Sequence, residues 1–213
     1  MGISKESASR NSPSDEQLLK GMLDGSAEAF TTLYRRRQAS IYRFALQMSG
    51  SNSIAEEVTQ EVFVLLMNQG DRYEPKRGPL LSYLFGIARN FVLRTLEKDR
   101  WQIPLEDEAT QAGGPVLDAL IVSSNPLGDL TRNERIESVR LAVLGLPSHY
   151  REVVVLCDFH ELSYVDAAAA LGIAVGTVRS RLHRAHRLLL EKLKAVGFTD
   201  SGLPRTQSAR CCV

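Results

Sequence analysis

Cysteine is scarce in this chain, three in 213 residues, and two of them, Cys211 and Cys212, stand side by side at its end. That excludes the disulfide framework of a small secreted domain and fits a reducing, cytoplasmic setting. No apolar run approaches the ~20 residues that span a bilayer as a helix, so membrane insertion is not expected. The stretch 1–13 is polar and Ser-rich and lacks the apolar core of a secretory signal. An excess of one charge is also missing: 26 Lys and Arg face 25 Asp and Glu, a formal net charge of +1. This excludes a uniformly basic nucleic-acid coat, but not a basic surface on one element. Sustained apolar–polar alternation between hairpin turns is absent, so no sheet is expected. There is no phosphate-binding glycine loop, no Ser/His/Asp set and no metal-ligand cluster, so neither an enzyme nor a cofactor or metal protein is expected. What remains is 44% hydrophobic and 24% charged, enough apolar material for packed cores.

Helical signals dominate. Ser14 and Gln17 have capping-box spacing, and Leu18, Leu19, Met22 and Leu23 share a face. After Asp24 and Gly25, a second pattern runs over 26–49, with Phe30, Leu33, Tyr34, Ile41, Phe44, Ala45 and Met48 apolar. Ser53 and Glu56 have capping-box spacing for a helix to about Asn68. A polar loop, 71–78, leads to Pro79, which suits the first turn of a helix reaching about Arg100. The texture then changes. Residues 102–125 carry Pro104, the acidic cluster Glu106, Asp107 and Glu108, and Gly113, Gly114 and Pro115. Only 116–122 is apolar there, enough for one weak helical turn, so this reads as a flexible acidic linker. Asn125 and Pro126 restart a helix to Gly145, and further helices are expected over 148–160, 164–171 and 175–196. The fold class is all-α: a leader at 1–13, a helical domain at 14–101, a linker at 102–130, a smaller helical domain at 131–197 and a tail at 198–213.

The sharpest local pattern is LSYVDAAAALGIAVGTVRSRLHRAHRLLLEKL, from Leu162 to Leu193. Ser163 caps a short helix over 164–171. Gly172 stands where the chain must turn sharply. Ala168 is small where two helices approach, and Val178 plugs the gap between them. These offsets describe a helix-turn-helix. On the second helix Val178, Leu182, Ala185 and Leu189 share the packing face. Ser180, His183, Arg184 and Arg187 lie opposite, flanked by Arg179 and Arg181. A basic face can simply be solvated, but here it coincides with helix-turn-helix spacing, and arginine reads guanine edges and holds phosphates. His183 and His186 read as surface or DNA-facing groups, because no Cys or acidic residue stands at ligand spacing beside them.

In the N-terminal half, Glu57, Gln60, Glu61 and Val64 form a stripe at i, i+3, i+4 and i+7, which is either a solvated face or a partner surface. From Asp71 to Trp101, basic residues alternate with Tyr73, Tyr83, Phe85, Phe91 and Trp101. Aromatic faces can stack on unpaired bases while arginines hold the backbone, and the Asn90 amide can meet a base edge. Phe91 shares a face with Leu84, Ile87 and Ala88, which points to the core. Cys157 reads as a core cysteine, and Asp158 and His160, two apart, point in different directions.

In this order these features resemble the sigma-70 family of bacterial transcription initiation factors, in its small two-domain extracytoplasmic-function (ECF) group. AEEVTQEVF (55–63) is similar to the family's core-polymerase-binding helix. LLSYLFGIARNFVLRTL (80–96) is similar to its promoter-melting, minus-ten-reading helix. LPSHYREVVVL (146–156) and LSYVDAAAALGIAVGTVRSRLHRAHRLL (162–189) are similar to its minus-thirty-five-reading domain. The resemblance implies that Glu57, Gln60 and Glu61 bind core RNA polymerase. It implies that Tyr73, Arg89, Asn90, Arg94 and Lys98 meet minus-ten DNA, both duplex and melted non-template strand. It assigns Thr177, Arg179, Ser180, Arg181, His183, Arg184 and Arg187 to the minus-thirty-five element. Gly86 stands where many relatives carry arginine. An anti-sigma protein is implied as a further partner, and a free monomer is expected. The competing reading is a conventional helix-turn-helix regulator that binds operators without polymerase. For Cys211 and Cys212, an inert tail and a redox or metal sensor both stay open.

Overall fold

The computed structural model describes residues 13–102 and 132–195. Among the described residues all regular structure is helical. The elements are α1 (Asp15–Leu23), α2 (Ala27–Ser49), α3 (Asn52–Gln69), α4 (Leu80–Gln102), α5 (Arg132–Leu144), α6 (Ser148–Val154), α7 (Tyr164–Leu171) and α8 (Val175–Ala195). Two short 3-10 turns, Gly70–Arg72 and Pro75–Arg77, join α3 to α4. The expected turn at 116–122, the helix start at Asn125, and Cys211 and Cys212 lie outside the described residues.

Local chemistry sets most of the boundaries. Ser14 Oγ accepts from the Gln17 amide at 3.2 Å, and the Gln17 side chain accepts from the Ser14 amide at 2.8 Å, closing the expected capping box. Ser26 caps α2, and Gly50 ends it with φ 75°, a left-handed conformation that costs glycine little. The cap of α3 differs from expectation. Ser51, not Ser53, accepts from the Ile54 amide, so the helix starts at Asn52 and Ser53 lies inside its first turn. The expected continuous helix over 148–160 is also revised. After α6 the chain widens into a π turn, Val155–Phe159, closed by the His160 amide on the Val155 carbonyl at 3.1 Å.

The interior is built around α2. Leu33, Ile41, Phe44, Ala45 and Met48 are fully buried, as the helical period predicts. They meet Ala55, Val58 and Val62 of α3 and Leu84, Phe85, Ala88 and Val92 of α4. Each large side chain so buried contributes about 1.5–3 kcal/mol. Phe91 is only half-buried, and Val92 occupies the core position assigned to it from the sequence. In the C-terminal helices Leu146, Val153–Leu156, Ala167, Leu171, Val178, Leu182 and Ala185 are buried.

The two sets of helices share one apolar core, with α4 against α7 and α2 against α5 and the π turn. Gly86 leaves room for α7, because a Cβ there would stand 2.9 Å from the Ala170 carbonyl oxygen. The Phe44 and Phe85 rings are 5.1 Å apart, and the His160 ring from the C-terminal set lies 4.7 Å from Phe85. Arg151 ties the sets at the backbone, donating to the carbonyls of Met48, Leu144 and Leu146.

Candidate nucleic-acid and partner interface

The α3 stripe is on the surface. Glu57, Gln60 and Glu61 are exposed, with Val64 and Met67 at 51% and 55% exposure beside them. The opposite face of α3 buries Val58, Val62 and Leu66, so the stripe is held rigidly by a packed helix. Met67 is an addition to the sequence reading, which stopped at Val64. Exposed apolar side chains among carboxylates make an amphipathic patch of the kind a partner helix covers.

On α4, Asn90, Arg94 and Lys98 are exposed and follow one another at four-residue spacing, so they form one stripe. Arg89 does not join them. Its Nε donates to Glu152 Oε2 at 2.5 Å, and its side chain is 26% exposed. Tyr73 is tied down as well. Its hydroxyl lies 3.0 Å from the Gly78 carbonyl oxygen and 3.3 Å from Glu16 Oε1, and its ring stands 5.5 Å from Tyr83. Burial, followed by the Glu16 carboxylate, pushes its pKa up to about 12, so the phenol stays protonated.

The helix-turn-helix follows its sequence pattern closely. Ser163 Oγ accepts from the Asp166 amide at 3.1 Å. Gly172 ends α7 at φ 66°. Ala168 is 6% exposed, and Val178 is fully buried between α7 and α8. On α8, Arg179, Ser180, His183, Arg184 and Arg187 are exposed, and Thr177 is half-buried at the start of the helix. Such a helix presents arginines at the edge and a hydroxyl at its first turns, the chemistry of major-groove reading.

Arg181 departs from this face. It donates to Glu152 Oε1 at 3.1 Å, and Glu152 is 1% exposed. Sequence reasoning set Arg181 beside the basic face and passed over Glu152. The local sequence gives little signal, because Glu152 sits beside Arg151 at the edge of the apolar run 153–156. His186 also has a partner, Asp158 Oδ2 at 2.7 Å, and that hydrogen bond raises its pKa. Cys157 is pushed up to about 12 by burial and then by Asp158, which keeps it a thiol. No group of three or more metal-ligating side chains occurs among the described residues. No helix among them is long and apolar enough to cross a membrane.

An ordered pair of helical units, one carrying an exposed acidic stripe and a polar–basic helix, the other a basic helix-turn-helix, defines a DNA-binding transcription protein. Residues 33–102 match the family description "Sigma-70 region 2" and residues 136–189 match "Sigma-70, region 4". The chain belongs to the sigma-70 family, in its ECF group. It is 31% identical over 163 residues to the ECF RNA polymerase sigma factor EcfG of Rhodopseudomonas palustris, covering 76% of this chain and 84% of that protein. Among solved structures it is similar to CnrH in complex with the cytosolic domain of CnrY. That likeness has TM-score 0.63 and 25% identity, over 86% of this chain and 99% of CnrH. It is also similar to the sigma factor RpoE in complex with the anti-sigma factor NepR from Bartonella quintana. There the TM-score is 0.58 and the identity 25%, over 79% of this chain and 98% of RpoE.

Proposed function

We propose that this chain is a transcription initiation factor that binds bacterial core RNA polymerase, directs it to promoters and helps open the DNA, catalysing no reaction itself. The observation that carries this reading is the pair of region matches in sigma order on one chain, 33–102 followed by 136–189. The domain limits proposed with it are 14–101 and 131–197, joined by 102–130. Cytoplasmic residence follows from the partner.

Each surface has a physical task. The exposed Glu57, Gln60, Glu61, Val64 and Met67 of α3 dock on polymerase. Arg179, Ser180, His183, Arg184 and Arg187 of α8 enter the minus-thirty-five major groove, with Thr177 at the mouth of the helix. Asn90, Arg94 and Lys98 track the minus-ten strand, and Tyr73 lines the pocket for an unstacked base. Extruding a base costs a few kcal/mol, offset by stacking, pocket contacts and phosphate neutralisation. Each module alone is weak, and polymerase links them by fixing their separation. An anti-sigma protein is the proposed regulator, by the likeness to RpoE, whose structure holds NepR.

The test is reconstituted transcription. The purified chain is mixed with sigma-free core polymerase and a library of promoter-like duplexes, and the transcripts are sequenced. Polymerase-dependent transcripts sharing a two-part upstream motif, lost with Glu61→Lys, are expected. Tight operator binding without polymerase, and no initiation with it, refutes the reading.

A further inference from the structure

Two polar side chains of α8 do not join its exposed basic face. Arg181 and His186 both reach the segment that precedes the helix-turn-helix. Arg181 donates to Oε1 of Glu152, on α6, at 3.1 Å. His186 Nε2 lies 2.7 Å from Oδ2 of Asp158, on the π turn. At roughly 3.6 residues per turn the two side chains stand about 140° apart around the helix axis. Val178, Leu182, Ala185 and Leu189 fall in the arc between them and pack against the core. Arg179, Ser180, His183, Arg184 and Arg187 fall in the remaining arc and are exposed. The two ties therefore mark the margins between the packed face of α8 and its exposed face.

We propose that Arg181 and His186 are positioning residues: they fix the roll of α8 about its own axis, and with it the side chains that meet the minus-thirty-five base edges. The proposal deepens the reading of α8 as the minus-thirty-five helix and rests on it. Apolar packing is non-directional, so it holds a helix down without fixing its rotation. A hydrogen bond at each margin opposes rotation in both senses, because turning toward one tie stretches the other. Roll matters, since a recognition side chain must stand within about 10–20° of its productive geometry. The two ties are unequal. Glu152 is 1% exposed, and a carboxylate so buried holds its partners firmly, because losing one leaves its charge undercompensated. Its other oxygen takes Arg89 of α4 at 2.5 Å, so the carboxylate itself is held from two sides. The Asp158 and His186 side chains are 39% and 40% exposed, so water competes for that tie. Arg181 is the main anchor and His186 the weaker one.

The test uses the full chain with core polymerase and a promoter library randomised over the minus-thirty-five element. It reads relative preference among the bound duplexes, a ratio in which any loss of folded protein cancels. Arg181→Met and Glu152→Gln are each expected to shift preference at two or more adjacent base pairs together, by about tenfold, the scale of a misread base pair. Both leave the salt slope of binding unchanged, because neither removes a phosphate contact. The two patterns must coincide, since Glu152 is too buried to meet DNA itself, and divergent patterns overturn the proposal. His186→Ala is expected to shift the same positions by about twofold, the scale of an exposed pair. Preferences unmoved by His186→Ala overturn the account of two margins. A uniform loss across the library makes the Glu152–Arg181 pair merely structural and overturns the proposal. A change confined to one base pair, or a salt slope lower by about one with Arg181→Met, makes Arg181 a direct DNA contact and overturns it as well. If the unsubstituted chain selects no duplex with polymerase, the initiation-factor reading fails instead, and the same comparison on polymerase-free binding still decides the roll.

Discussion

Glu152 is the one buried charged side chain among the described residues. A carboxylate 1% exposed between two arginines is held by charge-assisted bonds, while the arginines, at 26% and 28% exposure, retain some water. Glu152→Ala is expected to lower stability by about 2–3 kcal/mol, the scale of hydrogen bonds to charged groups. Arg89→Ala costs less, because Arg181 still compensates the carboxylate. Urea unfolding of both variants checks this, and equal losses would contradict the asymmetry. Gly172 offers a cleaner case. Nothing stands within 4 Å of a Cβ there, yet φ is +66°, so Gly172→Ala is expected to cost about 1 kcal/mol through backbone conformation alone. A shifted urea midpoint with an unchanged slope is the expected signature.

At the scale of the element, the π turn and α8 decide how pH acts. His160 on the turn is pressed against Phe85 and Phe44, with Nε2 3.1 Å from Gln47 Oε1. Burial, then the Arg43 charge, lowers its pKa from 6.5 to about 4. The packed ring is neutral, and an opened or unfolded chain takes up a proton. Its contribution is intact above pH 6.5 and is withdrawn as pH falls toward 4. His186 works in the opposite sense. The Asp158 hydrogen bond raises its pKa, so its contribution is full below the ordinary value of 6.5 and is lost as pH rises through the folded value. Melting curves between neutral pH and about pH 5 should therefore show an acid limb that His160→Phe flattens and His186→Gln does not. For α8 the readout is salt. Arg179→Ala and Arg184→Ala should each reduce the salt slope of DNA binding by about one if the side chain meets a phosphate, or relax base preference at one position if it meets guanine.

The whole molecule is two helical units sharing one core, and some of its surface exists only while the units stay together. The apolar groove formed by Leu46 of α2, Ile136, Val139 and Val143 of α5, and Phe159 of the π turn is such a surface. Ile136 and Phe159 remain 58% and 43% exposed on it, and Arg43 and Arg140 stand at its rim. The α3 stripe, by contrast, belongs to one unit. Glu61→Lys should abolish polymerase-dependent transcription while leaving the melting temperature within the small range of a surface change, about 0.5 kcal/mol. A large loss of stability would instead place Glu61 in the fold.

Helix positions, caps and the helix-turn-helix were legible in the sequence because they depend on neighbours three to six residues apart. Ser14 with Gln17, Ser163 as the cap of α7, and the trio Ala168, Gly172 and Val178 all took the expected places. Local ambiguity explains the misses: Ser51 and Ser53 both suit a cap, Phe91 and Val92 are adjacent apolar residues on one helix, and no periodicity announces a π turn. The exposed stripes on α3, α4 and α8 were equally readable, since a face is a property of one helix. Local pattern therefore suffices for the all-helical character, the order of the units and the family. The packing of the two units adds that Arg89 and Arg181 turn inward to Glu152, that His160 packs against both Phe44 and Phe85, and that Gly86 seats a carbonyl. Those contacts join residues 29 to 116 positions apart, and a charge pair or close approach at that range leaves no period in the chain.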